Sequence, residues 1–161
     1  MSDTRTEVYL KQRFSVITKY DLTDSIGNPI YHVKGSIGGF SFNITALDDT
    51  PIATIKKKVS IIPTYNVTLA NGNTIFLKKK IAITKQEFRG TYNNQEFLIS
   101  GNFIAFDCDV SIDGTRIGTI KKEFLHVTDT YKTRALDPKW FDVMAIATVI
   151  VDNACHNNKG K

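Results

Sequence analysis

The chain has 161 residues, of which 42% are apolar and 23% are charged, and its formal net charge is +5. This length predicts one domain over residues 1–161 that buries about 70% of its unfolded surface. The composition excludes a disordered chain. The excess of positive charge concerns attraction to anions and not the fold. It leaves three partner classes open: a nucleic acid, an anionic membrane surface, or no dedicated anionic partner.

Most of the chain is patterned as short strands in which apolar and polar residues alternate with a period of two, as is clearest in Phe40–Leu47. Turn residues separate the strands, and Asp113-Gly114 indicates a type I′ hairpin, whose two central positions need positive φ angles. The even spacing predicts a β-sandwich or barrel. The other predicted strands are Val16–Leu22, Ile30–Lys34, Ile52–Ile62, Tyr65–Leu69, Ile75–Ile83, Glu96–Ser100, Phe106–Ile112 and Arg116–Val127.

The C-terminal segment departs from this pattern. Asp137 and Pro138 are typical of a helix N-cap and first helical position. Val143–Val151 carries no charge, only Thr148 in it is polar, and Asp152 is expected to end the helix. A helix that is apolar on every side belongs in a core or a bilayer, and this run is short of the roughly 20 residues that span a membrane. We therefore expect no transmembrane segment, although the β-branched residues would also suit a buried strand.

An internal repeat recurs at a spacing of about 65 residues, as IATIKK at Ile52–Lys57 and IGTIKK at Ile117–Lys122. Two similar halves that close on each other leave no exposed strand edge, which predicts a closed antiparallel barrel. A barrel of about twelve strands is too wide for its own side chains to fill, since about eight strands already give a packed interior. The C-terminal helix is therefore predicted to lie in the centre.

Several segments recur in an order and spacing that resemble a known family. They are Tyr9-Leu10-Lys11-Gln12, Gly27-Asn28-Pro29 with Tyr31 and Val33, Ile55 and Lys57 before Pro63-Thr64-Tyr65, Gly101-Asn102-Phe103, Ile117-Gly118-Thr119-Ile120 with Lys122, Asp129-Thr130-Tyr131, and the apolar run that reaches Asp152. Over nearly the whole chain they resemble the LURP-one-related proteins of the tubby C-terminal-like superfamily. Relatives often carry a tryptophan-containing stretch where this chain has Phe124-Leu125-His126-Val127.

The resemblance implies a twelve-stranded barrel around a central hydrophobic helix, in agreement with the repeat. The superfamily also contains tubby proteins, which bind phosphoinositide head groups, and phospholipid scramblases. A shared fold does not by itself transfer these functions.

Three lysine clusters are the candidate site for an anionic ligand: Lys56-Lys57-Lys58, Lys78-Lys79-Lys80 and Lys121-Lys122. Strand alternation places Lys57, Lys79 and Lys122 on the apolar face of their strands, and Lys56 and Lys58 on the solvent face. A bulge could re-aim the first three, or they could reach a barrel mouth, or they could pair with buried carboxylates. The alternative is that all of them protect exposed strands and keep the barrel soluble.

The motifs of catalysis and metal binding are missing from the sequence. Cys108 and Cys155 are too few for a disulfide framework, and neither they nor His32, His126 and His156 stand at metal-ligand spacings. The sequence has no GxSxG motif and no Gly-rich phosphate loop. We therefore expect no enzyme, no cofactor and no metal. With no secretory signal, the chain is predicted to be cytoplasmic.

The function expected from these observations is that of a monomeric binding module that recognises anionic phospholipid or phosphate groups at a membrane surface. The first alternative is a basic barrel that binds nucleic acid, but the aromatic residues do not interleave with the lysines as stacking platforms would. The second is a structural or interaction protein without an anionic ligand.

Overall fold

The computed structural model describes residues 5–11, 19–58, 60–81, 86–103, 107–125 and 128–156. These contain twelve strands, a short 3-10 helix and one α-helix. In chain order the elements are β1 (Glu7–Lys11), β2 (Lys19–Thr23), β3 (Pro29–Gly35), β4 (Ser41–Ala46), β5 (Pro51–Lys58), β6 (Thr64–Leu69), β7 (Thr74–Ile81), β8 (Gln86–Tyr92), β9 (Gln95–Asn102), β10 (Asp107–Ile112), β11 (Thr115–Leu125), β12 (Thr128–Ala135), the 3-10 helix (Pro138–Trp140) and α1 (Phe141–His156).

The strands form a closed barrel. Each pairs antiparallel with its neighbours in the chain, and β12 returns to pair with β1 from Arg134 opposite Glu7 to Thr130 opposite Lys11. Closure leaves no edge strand among those described. The predicted mainly-β fold and the closed antiparallel barrel of twelve strands are confirmed.

The internal repeat maps onto the two halves of this barrel. Ile52–Lys57 lies in β5 and Ile117–Lys122 lies in β11, which is six strands further round. Tyr65 of β6 and Tyr131 of β12 also correspond, and both side chains are buried in the interior. The two similar halves therefore face each other across the barrel.

The pattern of alternation did not predict three of the described strands, which are β1, β8 and β12. In β8 the buried residue is Phe88, while its other positions are polar or glycine and at least partly exposed. In β12 the inward-facing Thr133 is itself polar and buried, so apolar alternation is broken. Parts of other predicted strands, at 16–18, 59, 82–83, 106 and 126–127, lie outside the described residues.

The helix α1 fills the barrel, as the sequence predicts. Its residues from Val143 to Ala154 are all buried. Thr148, the polar residue within the apolar run, bonds to the Met144 carbonyl at 2.8 Å and to the hydroxyl of Thr133 on β12. Burial of this hydroxyl costs little free energy, because both of its hydrogen-bond partners are in place.

The two ends of the helix differ from the sequence prediction in detail. Asp137 is the N-cap and accepts a hydrogen bond from the Lys139 amide at 3.0 Å, but the turn that it caps is the 3-10 helix that precedes α1. The expectation that Asp152 ends the helix is wrong, because α1 continues to His156. No proline or glycine follows Asp152 before the end of α1, and Asn153 keeps its side chain bonded inside the barrel, as described below.

The direction of α1 distinguishes the two ends of the barrel. Phe141 packs against Tyr31 near the start of β3, with ring centroids 5.7 Å apart, whereas Asn153 reaches the carbonyl of Gly39 in the β3–β4 loop at 3.3 Å. We call the end where α1 finishes the upper end; the odd-numbered strands also finish there. The opposite end is the lower end. Among the described residues, no helix has the length and apolar character needed to cross a membrane.

Candidate anionic-ligand site

The eight candidate lysines divide into outward-facing and inward-facing residues. Lys79 is buried at 8% exposure and Lys57 and Lys122 are half-buried. Strand pairing is regular at these positions, so the bulge considered from the sequence is not present and the inward position follows from the two-residue period of a strand. The exposed members are Lys56, Lys58, Lys78, Lys80 and Lys121.

Two of the three clusters lie on one outer wall of the barrel. Lys58 of β5 is opposite Thr64 of β6, which is in turn opposite Lys78 of β7. Two strand spacings separate the two lysines, which is about 10 Å. Lys121 lies on β11, with β8, β9 and β10 between it and β7. The structure therefore brings the first two clusters together and keeps the third apart from them.

The loop after β5 adds apolar surface beside these lysines. The predicted strand Ile52–Ile62 is too long, since β5 ends at Lys58. The hydroxyls of Ser60 and Thr64 both donate to the Ile62 carbonyl, the second at 3.4 Å, and the Ile61 side chain is fully exposed at 102%. Pro63 does not account for this difference, because the predicted strand already stopped before it and β5 ends five residues earlier.

Lys58, Lys78 and the apolar residues of this loop line one open depression of about 700 Å³ on the outer wall. Phe76 of β7, which is 41% exposed, also lines it. We call this surface the β5–β7 patch, and it consists of Lys56, Lys58, Lys78 and Lys80 with Ile61, Ile62, Thr64, Asn66 and Phe76.

The inward-facing Lys57 and Lys79 lie close together inside the upper end. The Lys57 ammonium is 5.8 Å from the centre of the Tyr65 ring. Burial, and then the nearby charge of Lys79, lower the pKa of Lys57. Among the described residues no carboxylate is within ion-pair distance of either amine. The third possibility raised by the sequence, pairing with buried carboxylates, is thus not found for these two lysines among the described residues.

A hydrogen-bond relay joins the barrel wall to the end of α1 below these lysines. The Tyr65 hydroxyl donates to Asn153 Oδ1 at 2.7 Å, and Asn153 Nδ2 donates to the Gly39 carbonyl at 3.3 Å. Burial raises the pKa of Tyr65 well above its ordinary value, so the phenol stays protonated as the donor. The relay anchors the last turn of α1 to β6 and to the β3–β4 loop.

Tyr65→Phe is expected to lower the free energy of unfolding by about 1–2 kcal/mol, because it leaves the buried Asn153 oxygen without its donor. Tyr92→Phe is the matched control, since the Tyr92 hydroxyl accepts from Asn73 at 2.7 Å in a partly buried position at the lower end. Urea denaturation measures the free energy of unfolding of both variants. Equal losses for the two variants would contradict an anchoring role of Tyr65.

Cys108 and Cys155 form no disulfide within the described residues. Burial raises the pKa of the Cys108 thiol to about 12, so this thiol is protonated at neutral pH. Asp107 and Asp109 on either side of it are exposed. No group of three His, Cys, Asp or Glu residues in the described part of the chain could hold a metal ion.

The fold and this end of the barrel define a helix-filled twelve-stranded domain built from two similar halves, with lysines on both faces of β5 and β7. The family model described as LURP-one-related matches residues 6–151. The chain therefore belongs to the LURP-one-related family, as the resemblance of its segments predicts. No curated protein and no solved structure matches the sequence significantly.

Proposed function

We propose that this protein is a non-enzymatic binding module whose β5–β7 patch attaches it to anionic phospholipid at a membrane surface. The family and the closed barrel fit a non-enzymatic binding module. The observation that carries the membrane assignment is that Lys58 and Lys78 surround the same depression as exposed Ile61 and Phe76. Cationic groups around apolar side chains suit the interface of an anionic bilayer, where head groups lie above acyl chains.

The charges of the whole barrel favour the same orientation. Lysines cluster where odd-numbered strands finish at the upper end, while the turns at the lower end carry acidic residues. A charge separation of this kind steers one end of a molecule toward an anionic surface. The acidic residues in or beside these turns include Asp24, Asp48, Asp49, Asp113 and Asp137.

The expected strength is that of a reversible attachment. Each lysine near an anionic surface contributes about 1 kcal/mol, so the four lysines of the patch together contribute about 4 kcal/mol. Full burial of one isoleucine side chain adds about 1.5–3 kcal/mol. The sum lies in the range of micromolar to millimolar binding, which corresponds to about 4–8 kcal/mol.

A nucleic acid suits this patch less well. Single strands bind along several aromatic platforms on which successive bases stack. In the β5–β7 patch Phe76 is the aromatic side chain, and its neighbours Ile61 and Ile62 offer no stacking face. These residues favour a lipid interface.

The double variant Lys58→Glu with Lys78→Glu is expected to weaken binding to vesicles of phosphatidylserine and phosphatidylcholine at least about 100-fold, since each reversal removes an attraction and adds a repulsion. Vesicle sedimentation measures the bound fraction. Wild-type binding should collapse as salt is raised from 0.1 M to 1 M, because the screening length falls from about 10 Å to about 3 Å. Vesicles of phosphatidylcholine alone should bind little protein.

Two control variants separate the patch from net charge and from general apolarity. Lys121→Glu with Lys139→Glu makes the same change of charge at exposed positions off the patch, and should retain most of the binding. Ile61→Ser should weaken binding about tenfold, whereas Ile26→Ser at the lower end, where Ile26 is 80% exposed, should not. Equal losses for on-patch and off-patch variants, or equal binding to neutral vesicles, would refute the proposal.

A further inference from the structure

We propose that the inward-facing lysines Lys57 and Lys79 form a second site, inside the upper mouth of the barrel, that binds a phosphate monoester. This site is separate from the β5–β7 patch, because its lysines point to the other face of the same strands. Its ligand is also more narrowly defined than that of the β5–β7 patch, because this site binds a single compact dianion and the patch binds a charged surface.

The burial of Lys79 is the first observation that supports this site. The residue is 8% exposed, its backbone amide is fixed by the Pro63 carbonyl at 3.0 Å, and no ion pair to a described residue neutralises its side chain. Lysine is almost never this buried without a partner. A bound anion would supply that partner.

The second observation is the like charge beside it. Lys57 is opposite Tyr65, and Tyr65 is opposite Leu77, two residues before Lys79. Lys57 is therefore level with Tyr65, and Lys79 lies about 7 Å nearer the upper mouth. Two ammonium groups in a partly dehydrated place repel each other, and an anion between them would relieve this repulsion. Tyr65 does not supply this charge, because its ring contacts the Lys57 ammonium at 5.8 Å but the phenol is neutral and donates its proton to Asn153.

The end of α1 offers some compensation but not enough. The C-terminus of a helix carries about half a negative elementary charge, which is less than two ammonium groups require. A phosphate monoester is mostly a dianion at neutral pH and has three acceptor oxygens on a small group. Lysine binds phosphate as a point charge, and two of them match one dianion in charge. A carboxylate would neutralise only one.

The test is thermal unfolding in inorganic phosphate against sodium chloride of equal ionic strength. Phosphate at ten times its dissociation constant should raise the Tm of the wild-type protein by about 3–6 °C. Lys79→Met should lose this rise. Lys80→Met, its outward-facing neighbour, should keep it and also controls for the general stabilisation of proteins by phosphate salts. A second variant, Lys57→Met, should behave like Lys79→Met.

Vesicles distinguish the source of the phosphate group. Phosphatidic acid presents a monoester and phosphatidylserine a diester, so a preference for phosphatidic acid that Lys79→Met abolishes assigns the site to a lipid head group. A phosphate-dependent Tm rise without that preference assigns it to a soluble phosphate. The same Tm change in the wild-type protein, Lys79→Met and Lys80→Met, or no change in the wild-type protein, would overturn the site. Neither result depends on the β5–β7 patch, whose Lys58→Glu and Lys78→Glu variant should keep the Tm rise.

Discussion

Val149→Asp is expected to lower the free energy of unfolding by more than about 4 kcal/mol, which is a large part of the 5–15 kcal/mol that holds a typical domain folded. Val149 is 0% exposed on the helix that fills the barrel. An ionised carboxylate there would have neither water nor a counterion. Urea denaturation followed by circular dichroism measures the loss, and near-native stability would show that α1 is not the core of the barrel.

The pH dependence of that variant adds an independent check. Burial raises the folded-state pKa of an introduced carboxyl above its unfolded value, so the penalty is fully present at neutral pH and shrinks as pH falls through the raised pKa. The difference in stability between variant and wild-type protein should therefore narrow on acidification. Ile26→Asp, at a position that is 80% exposed, introduces the same side chain and should cost little at either pH.

Gly90→Ala is expected to lower the free energy of unfolding by about 3 kcal/mol, at the upper end of the cost of overpacking. A Cβ at this position would lie 1.7 Å from the Phe76 carbonyl oxygen and 3.1 Å from Leu77 Cα, both on β7. Backbone atoms cannot rotate away as a flexible side chain can. The variant therefore requires β7 and β8 to separate where Leu77 pairs with Gly90. Thermal or urea unfolding measures the loss.

Gly114→Ala is the control for the general cost of replacing glycine. Gly114 has a φ of +78° in the β10–β11 hairpin, and a Cβ there would meet nothing within 4 Å. The variant should cost about 1–2 kcal/mol through the left-handed conformation alone. If Gly90→Ala cost no more than Gly114→Ala, the close approach of β7 and β8 would be wrong.

The architecture could be predicted from the sequence because its signals are local or repeated. The Asp113-Gly114 turn requires positive φ angles, and the structure has 49° and 78° there. The match between Ile52–Lys57 and Ile117–Lys122 requires two similar halves, and the charge-free run before Asp152 requires a buried place. These signals depend on backbone conformation and hydrophobicity, which the chain itself carries. They were sufficient for a closed barrel around one helix.

The strands with weak alternation could not be predicted in the same way. β12 is held by its pairing with both β1 and β11, so its formation depends on distant residues rather than on its own polar sequence. The end of α1 depends likewise on the Tyr65 and Gly39 contacts that keep Asn153 inside the barrel. Tertiary hydrogen bonds override local propensity at both places.

By itself the sequence determined that Lys57 and Lys79 face the opposite side of their strands from the lysines next to them, because the period of a strand is two. Only the tertiary structure decided that the two lie near each other inside one end of the barrel, and that Lys58 and Lys78 line one depression with Ile61 and Phe76. The physical reason is that alternation fixes a face within one strand, whereas proximity between strands depends on register and order around the barrel. Register is set by how neighbouring strands pair across their turns, which the alternation within one strand does not contain.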